Sequence, residues 1–139
     1  MPLQVEVITP ERHVFEDEVD MVVIPGSEGM LGILPHHAPL FTGLGSGEMR
    51  VKKGTLEYVF AVFGGFMDVR ENKVTVLTDT AEHAEDIDER RAQEARDSAQ
   101  RELEAAPANA ADEQRARAAL QRALIRLRVA ERRRSSRRP

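Results

Sequence analysis

This 139-residue chain is predicted to be α+β, a strand-built piece followed by two helices. Three observations carry that prediction. Composition breaks near residues 82–87: all nine glycines lie at or before Gly65, no lysine follows Lys73, and alanine and arginine take over after Glu85. Charge breaks with it, from net −7 over residues 1–84 to net +3 over residues 85–139. The spacing of apolar residues changes there too, from a period of two to that of a helix. Residues 1–84 are therefore expected to form a β-sandwich or barrel, and residues 85–139 a helical hairpin with a basic tail.

In the first piece Leu3, Val5 and Val7 alternate with Gln4 and Glu6, the pattern of a half-buried strand, and Thr9-Pro10-Glu11-Arg12 ends it. Val19 to Ile24 reads as a second strand, closed by Pro25-Gly26-Ser27. Gly29 to Leu34 reads as a short third, ended by Pro35. Leu44 to Lys52, Leu56 to Phe63, Gly65 to Arg70 and Lys73 to Thr78 follow. Lys53-Gly54 and Glu71-Asn72 are turn positions, the second tight enough for a hairpin. Seven or more short strands at this spacing point to an all-β sandwich or barrel.

In the second piece apolar residues fall at Ile87, Ala92, Ala95, Ala99, Leu103 and Ala106, one helical face. Asp86, three residues before Glu89, resembles a capping box. Pro107-Ala108-Asn109 interrupts the pattern, and Asn109 or Asp112 is a candidate cap for the next helix. A second face runs through Ala116, Leu120, Ala123, Leu127 and Ala130. The stripes are mostly alanine, which buries little area but lets two helices approach closely. Such a hairpin is marginally stable alone, so it suits an element that moves with its partner. A plain helical tail packed permanently on the sandwich is the competing reading.

Several functions are excluded by what is missing. Without cysteine there is no disulfide framework, thiolate metal site or cysteine nucleophile. Without tryptophan, and with six aromatic residues, there is no stacking platform for nucleic acid. The longest nearly apolar run, Phe60 to Met67, is far short of the roughly 20 residues that span a bilayer. The opening Met1-Pro2-Leu3-Gln4 has no export signal, so an intracellular protein is expected. There is no Gly-x-Ser-x-Gly elbow and no phosphate-binding glycine loop. His13, His36, His37 and His83 show no metal-ligand spacing; neither a metal nor a catalytic residue is expected.

The arginines are more informative. If the hairpin turns near residue 108, Arg91 faces the neighbourhood of Arg126, and Arg122 lies one turn from Arg126. Three converging guanidiniums repel one another unless an anion sits among them, and Arg forks suit polyphosphate. Asp88 and Glu82 are candidate partners for a ribose, a base or a metal-bound water. The alternative is ordinary pairing on a solvated face, Arg91 with Glu94 or Asp88 for instance. The tail Arg132 to Arg138 is a basic cluster that reads more readily as a solvated end or a contact for an acidic protein partner than as a nucleic-acid or lipid contact.

Gly29-Met30-Leu31-Gly32-Ile33-Leu34-Pro35-His36-His37-Ala38-Pro39-Leu40 resembles the signature of the epsilon-subunit family of bacterial F-type ATP synthases. Val5-x-Val7-Ile8-Thr9-Pro10, Val14-Phe15, Gly64-Gly65-Phe66-x-x-Val69, Val74-Thr75-Val76-Leu77 and Ala81-Glu82-x-Ala84-Glu85-Asp86-Ile87-Asp88 extend the resemblance over about residues 2–131. It implies a ten-stranded β-sandwich followed by a two-helix hairpin. It also implies a non-catalytic subunit of the central stalk, peripheral on the cytoplasmic face of the inner membrane, that couples proton-driven rotation to ATP synthesis. The implied partners are the gamma subunit, the c-subunit ring and, for an extended hairpin that inhibits ATP hydrolysis, an acidic segment of the beta subunits. No nucleic-acid partner is implied, and no cofactor beyond ATP as a regulatory ligand, with or without Mg. Ile87-Asp88-Glu89-Arg90-Arg91-Ala92 matches the family's ATP-binding motif, so the implied ATP site is Glu82, Asp88, Arg91, Ala92, Arg122 and Arg126. Ser98, where strong ATP binders carry another arginine, weakens that expectation. Met30 is expected to face the c ring and His37 the gamma subunit.

Overall fold

The computed structural model describes residues 2–136, with side chains through Arg132. Ten strands come first: β1 (Leu3–Ile8), β2 (His13–Val19), β3 (Met21–Gly26), β4 (Gly29–Ile33), β5 (Leu40–Gly43), β6 (Ser46–Lys53), β7 (Leu56–Phe63), β8 (Phe66–Arg70), β9 (Lys73–Leu77) and β10 (Ala81–His83). A single 3-10 turn (Ala84–Asp86) leads to α1 (Glu89–Glu104) and α2 (Ala110–Ser136). The strands form two five-stranded sheets, ordered β2-β1-β9-β8-β5 and β10-β7-β6-β3-β4. All strand pairs are antiparallel except β1 with β9.

The alternation seen in the sequence is the alternation of burial. Leu3, Val5 and Val7 point inward and meet Val74, Val76, Met67 and Val69 of the same sheet and Val22, Ile24, Met49, Val51, Phe60 and Val62 of the other. Fully burying side chains of this size stabilises by about 1.5–3 kcal/mol each. The tight turn between β8 and β9 places both Glu71 and Asn72 at positive φ, the twist a two-residue hairpin requires. Gly64 and Gly65 turn the chain from β7 in one sheet to β8 in the other. Gly65 has φ +111°, and a Cβ there would lie 2.0 Å from the Leu77 carbonyl oxygen. The buried Thr78 hydroxyl donates to the Gly64 carbonyl at 2.6 Å and holds this crossing.

Three strands escape the sequence reading. β2 is acidic and carries a bulge, because Val7 pairs with Phe15 but Ile8 pairs with His13, which leaves Val14 as the extra residue. β5 and β10 are too short to show a period. The cap of α1 is also corrected: Asp88, not Asp86, precedes the helix, and its Oδ1 accepts the Arg91 backbone N–H at 3.1 Å. Asp86 belongs to the 3-10 turn. Asn109 caps α2 by accepting the Asp112 backbone N–H at 2.8 Å. Ala106 does not continue the α1 face; it sits at φ +56°, the left-handed residue that ends the helix.

The alanine stripes do bring the helices together, through buried Ala92, Ala99, Ala116 and Ala123, whereas Ala95 is exposed. A second stripe on α2 has a different task. Ile125, Val129 and Ala130 pack on Val59, Ala61 and Phe63 of β7 and on Ala84 and Ile87. This small cluster, separate from the sandwich core, docks the hairpin.

Candidate functional site

The hairpin, the 3-10 turn and β10 enclose a cleft of about 350 Å³ lined by Glu82, Asp86, Asp88, Arg91, Ala92, Ala95 and Arg126. Each lining residue is placed by a local rule. Glu82 pairs with Ala61 across β10 and β7, which fixes its height on the sheet edge. Asp88 is held as the helix cap, so Arg91 emerges in the first turn of α1. Ala92 is buried against α2, and its lack of bulk leaves the space that the cleft occupies.

Arg126 reaches in from α2. Its Nε donates to Glu82 Oε1 at 2.9 Å, and its Nη2 lies 2.8 Å from the same oxygen. Its guanidinium also stacks over Phe63 at 4.9 Å from the ring centroid. Both charged side chains are about 70% shielded, so the pair is worth more than one on an open surface. Arg91, by contrast, has no ion pair among the described residues. Glu94 pairs with Arg90 instead, and Asp88 serves the backbone. The cleft therefore presents one neutralised guanidinium, one unneutralised guanidinium and two further carboxylates, an arrangement suited to a ligand with both anionic oxygens and hydroxyl donors.

Five of the six residues expected at an ATP site line this cleft together. Arg122 does not. It lines a separate groove nearer the helix turn, with Glu102, Ala105, Pro107 and Ala108. Side chains lean toward the N-terminus of their helix, which for α2 is the turn end, so Arg122 leans away from the cleft while Glu82 draws Arg126 in. Phe63, Asp86 and Ala95 were not anticipated. Ala95 lies one turn beyond Arg91 and was legible on that ground; the ring under Arg126 comes from a distant strand and left no signal.

The expected subunit contacts lie elsewhere. Met30 is 58% exposed on β4, beside the Gly26–Gly29 turn. His37 closes a turn by donating its backbone N–H to Leu34 at 3.2 Å, with Nδ1 2.7 Å from the Ala38 carbonyl oxygen. The basic tail beyond Arg132 lies outside the described side chains.

Two family models cover the chain in succession. Residues 2–84 match the β-sandwich domain of the ATP synthase delta/epsilon chain, and residues 85–131 match its long α-helix domain. The chain belongs to the ATP synthase delta/epsilon family. It is 50% identical over 134 residues to the ATP synthase epsilon chain of Dehalococcoides mccartyi, covering 95% of this chain and 94% of that one. The ATP synthase epsilon chain of Herpetosiphon aurantiacus is 47% identical over 135 residues, covering 97% and 98%. Among solved structures, a chain of the Euglena gracilis mitochondrial ATP synthase aligns with a TM-score of 0.69 at 20% identity, covering 94% of this chain and 78% of that one. That likeness supports the fold. Membership makes this an epsilon-type, non-catalytic central-stalk subunit of an F-type ATP synthase.

Proposed function

We propose that the sandwich docks this subunit on the gamma subunit and the c-subunit ring, and that the hairpin is a nucleotide-sensitive brake on ATP hydrolysis. No helix among the described residues is long and apolar enough to cross a membrane, in keeping with a peripheral place on the cytoplasmic face of the inner membrane. Phe41 and Phe66, stacked at 5.6 Å and 67% and 53% exposed, form with Leu77 an apolar patch on the outer face of the first sheet, suited to a permanent protein contact. Met30, beside the Gly26–Gly29 turn, is assigned to the ring, and His37, in the loop beyond the other end of β4, to gamma.

The observation that carries the nucleotide reading is Arg91, a guanidinium with no ion pair among the described residues, facing a cleft already closed by Arg126 and Glu82. ATP phosphates would take Arg91 and share Arg126, while Glu82 and Asp88 offer acceptors to ribose or base. Binding would hold the hairpin down only in proportion to its preference for that state. Loss of ATP would free α2 to extend, and its arginines would meet the acidic segment of the beta subunits. Titration calorimetry of the isolated chain with ATP, ADP and GTP, with and without Mg²⁺, tests this. ATP-selective heat that disappears in Arg91→Ala is expected; no heat at millimolar ATP overturns it.

A second reading, an ATP-insensitive hairpin, is favoured by three observations: Arg126 is already neutralised, Arg122 faces away, and Ser98 supplies no cation. Deleting residues 88–139 would then raise the ATPase rate of the assembled head equally at all ATP concentrations.

A further inference from the structure

On the outer face of the first sheet, Glu6 of β1 stands directly opposite Glu16 of β2. Like charges placed so are destabilising. Neither carboxylate has an ion pair among the described residues. The bulge at Val14 brings a third group to the same spot. In an unbroken strand His13 and Glu16, an odd number of residues apart, would face opposite sides of the sheet. The extra residue lets Val14 and Phe15 both pack toward the core and turns His13 outward beside Glu6 and Glu16. One ligand atom from each of the three lies within 4.8 Å of the others.

We infer that Glu6, His13 and Glu16 form a surface site for a divalent transition metal, with Zn²⁺ as the fitting ion. Zinc binds imidazole nitrogen and carboxylate oxygen at about 2.0–2.2 Å in a tetrahedral shell, so its ligand atoms stand about 3.4 Å apart. His13 and Glu16 are exposed and Glu6 is half-buried, and rotation about their side-chain bonds closes a gap of up to about 1.4 Å. The imidazole selects against Mg²⁺ and Ca²⁺, which prefer all-oxygen shells. Three protein ligands leave further positions to water. The ion removes the Glu6–Glu16 repulsion and ties β2, an edge strand, to β1. The site lies at the β2 edge of the sheet, away from the apolar patch at the β5 edge.

Titration calorimetry of the full chain with Zn²⁺ tests this, with the imidazole resonances of the four histidines followed by NMR. One equivalent is expected to bind with a micromolar Kd and to shift the His13 resonances first. His13→Ala and Glu6→Gln should each weaken binding at least tenfold, while a His36→Ala/His37→Ala double variant and a hundredfold excess of Mg²⁺ leave it unchanged. The inference is overturned if Zn²⁺ shifts His36 or His37 instead, if His13→Ala binds as the parent does, or if no binding appears below millimolar metal.

Discussion

The sandwich and the hairpin share one chain but are held by different means. The sandwich core contains fully buried Phe60, Ile24, Ile33, Leu3 and Met49, side chains that close around one another from two sheets. The helices meet through alanine, and the hairpin reaches the sandwich through one small apolar cluster and, among the described residues, two ion pairs: Arg126 with Glu82, and Arg132 with Glu48 at 3.1 Å. A structure can thus hold a scaffold firmly and a limb more lightly by distributing large residues to one and small residues plus charge to the other. The first is anchored by non-directional burial that salt barely touches. The second rests partly on terms that salt, pH and anionic ligands can reach.

The most damaging way to break this contrast is Gly65→Ala. The new Cβ meets the Leu77 carbonyl at a backbone angle that L-residues avoid, so a loss of more than about 3 kcal/mol in urea unfolding is expected, with both sheets lost together. Phe60→Ala should cost about 3–5 kcal/mol by the cavity it leaves. In Ile125→Ala the effect should move to the hairpin: amide exchange of α1 and α2 accelerates by at least tenfold, while the sandwich keeps its protection. Equal acceleration in both regions would show that the two are one cooperative unit. Asp88→Ala should loosen the first turn of α1 by about 1 kcal/mol, visible as faster exchange at Arg91 and Ala92.

The smallest expected effect lies between the sheets. Lys53 at the end of β6 bonds Asp17 of β2 at 2.7 Å. That bond, and then the Glu18 backbone N–H, holds the Asp17 carboxyl below the usual carboxylate range. A lowered folded pKa means stability that is present above the ordinary value near pH 4 and lost as pH falls through the lowered one. Asp17→Asn should therefore flatten slightly the acid limb of the stability curve, and leave neutral pH nearly unchanged because the pair is half-exposed. A clear destabilisation at pH 7 would show that this pair clamps the sandwich edge.

What was legible in the sequence follows the same division. The composition break, the alternation in β1 and β9, and the alanine stripes are local patterns that local geometry must honour. β2 was hidden because its bulge destroys the period and its outward residues are acidic. The docking stripe of Ile125 and Val129 was hidden behind the alanine stripe on the same helix, although its i, i+4 spacing was present. The cleft was half legible: hairpin arithmetic brings Arg91 near Arg126, but that Glu82 claims Arg126 and that Arg122 leans away depends on side-chain direction and on a partner 44 residues distant. The Glu6–His13–Glu16 cluster depends on a register shift that no sequence period displays.

The parallel pairing of β1 with β9 sets an order of events during synthesis. β1 runs from Leu3 to Ile8 and its central position requires Lys73–Leu77 on one flank. The earliest-made strand therefore waits, with only the β2 hairpin for company, until more than half the chain has left the ribosome. Contacts this distant in sequence are slow to form. The hairpin can dock only after β7 has found its place in the second sheet, so the last-made part of the chain is also the last to be attached.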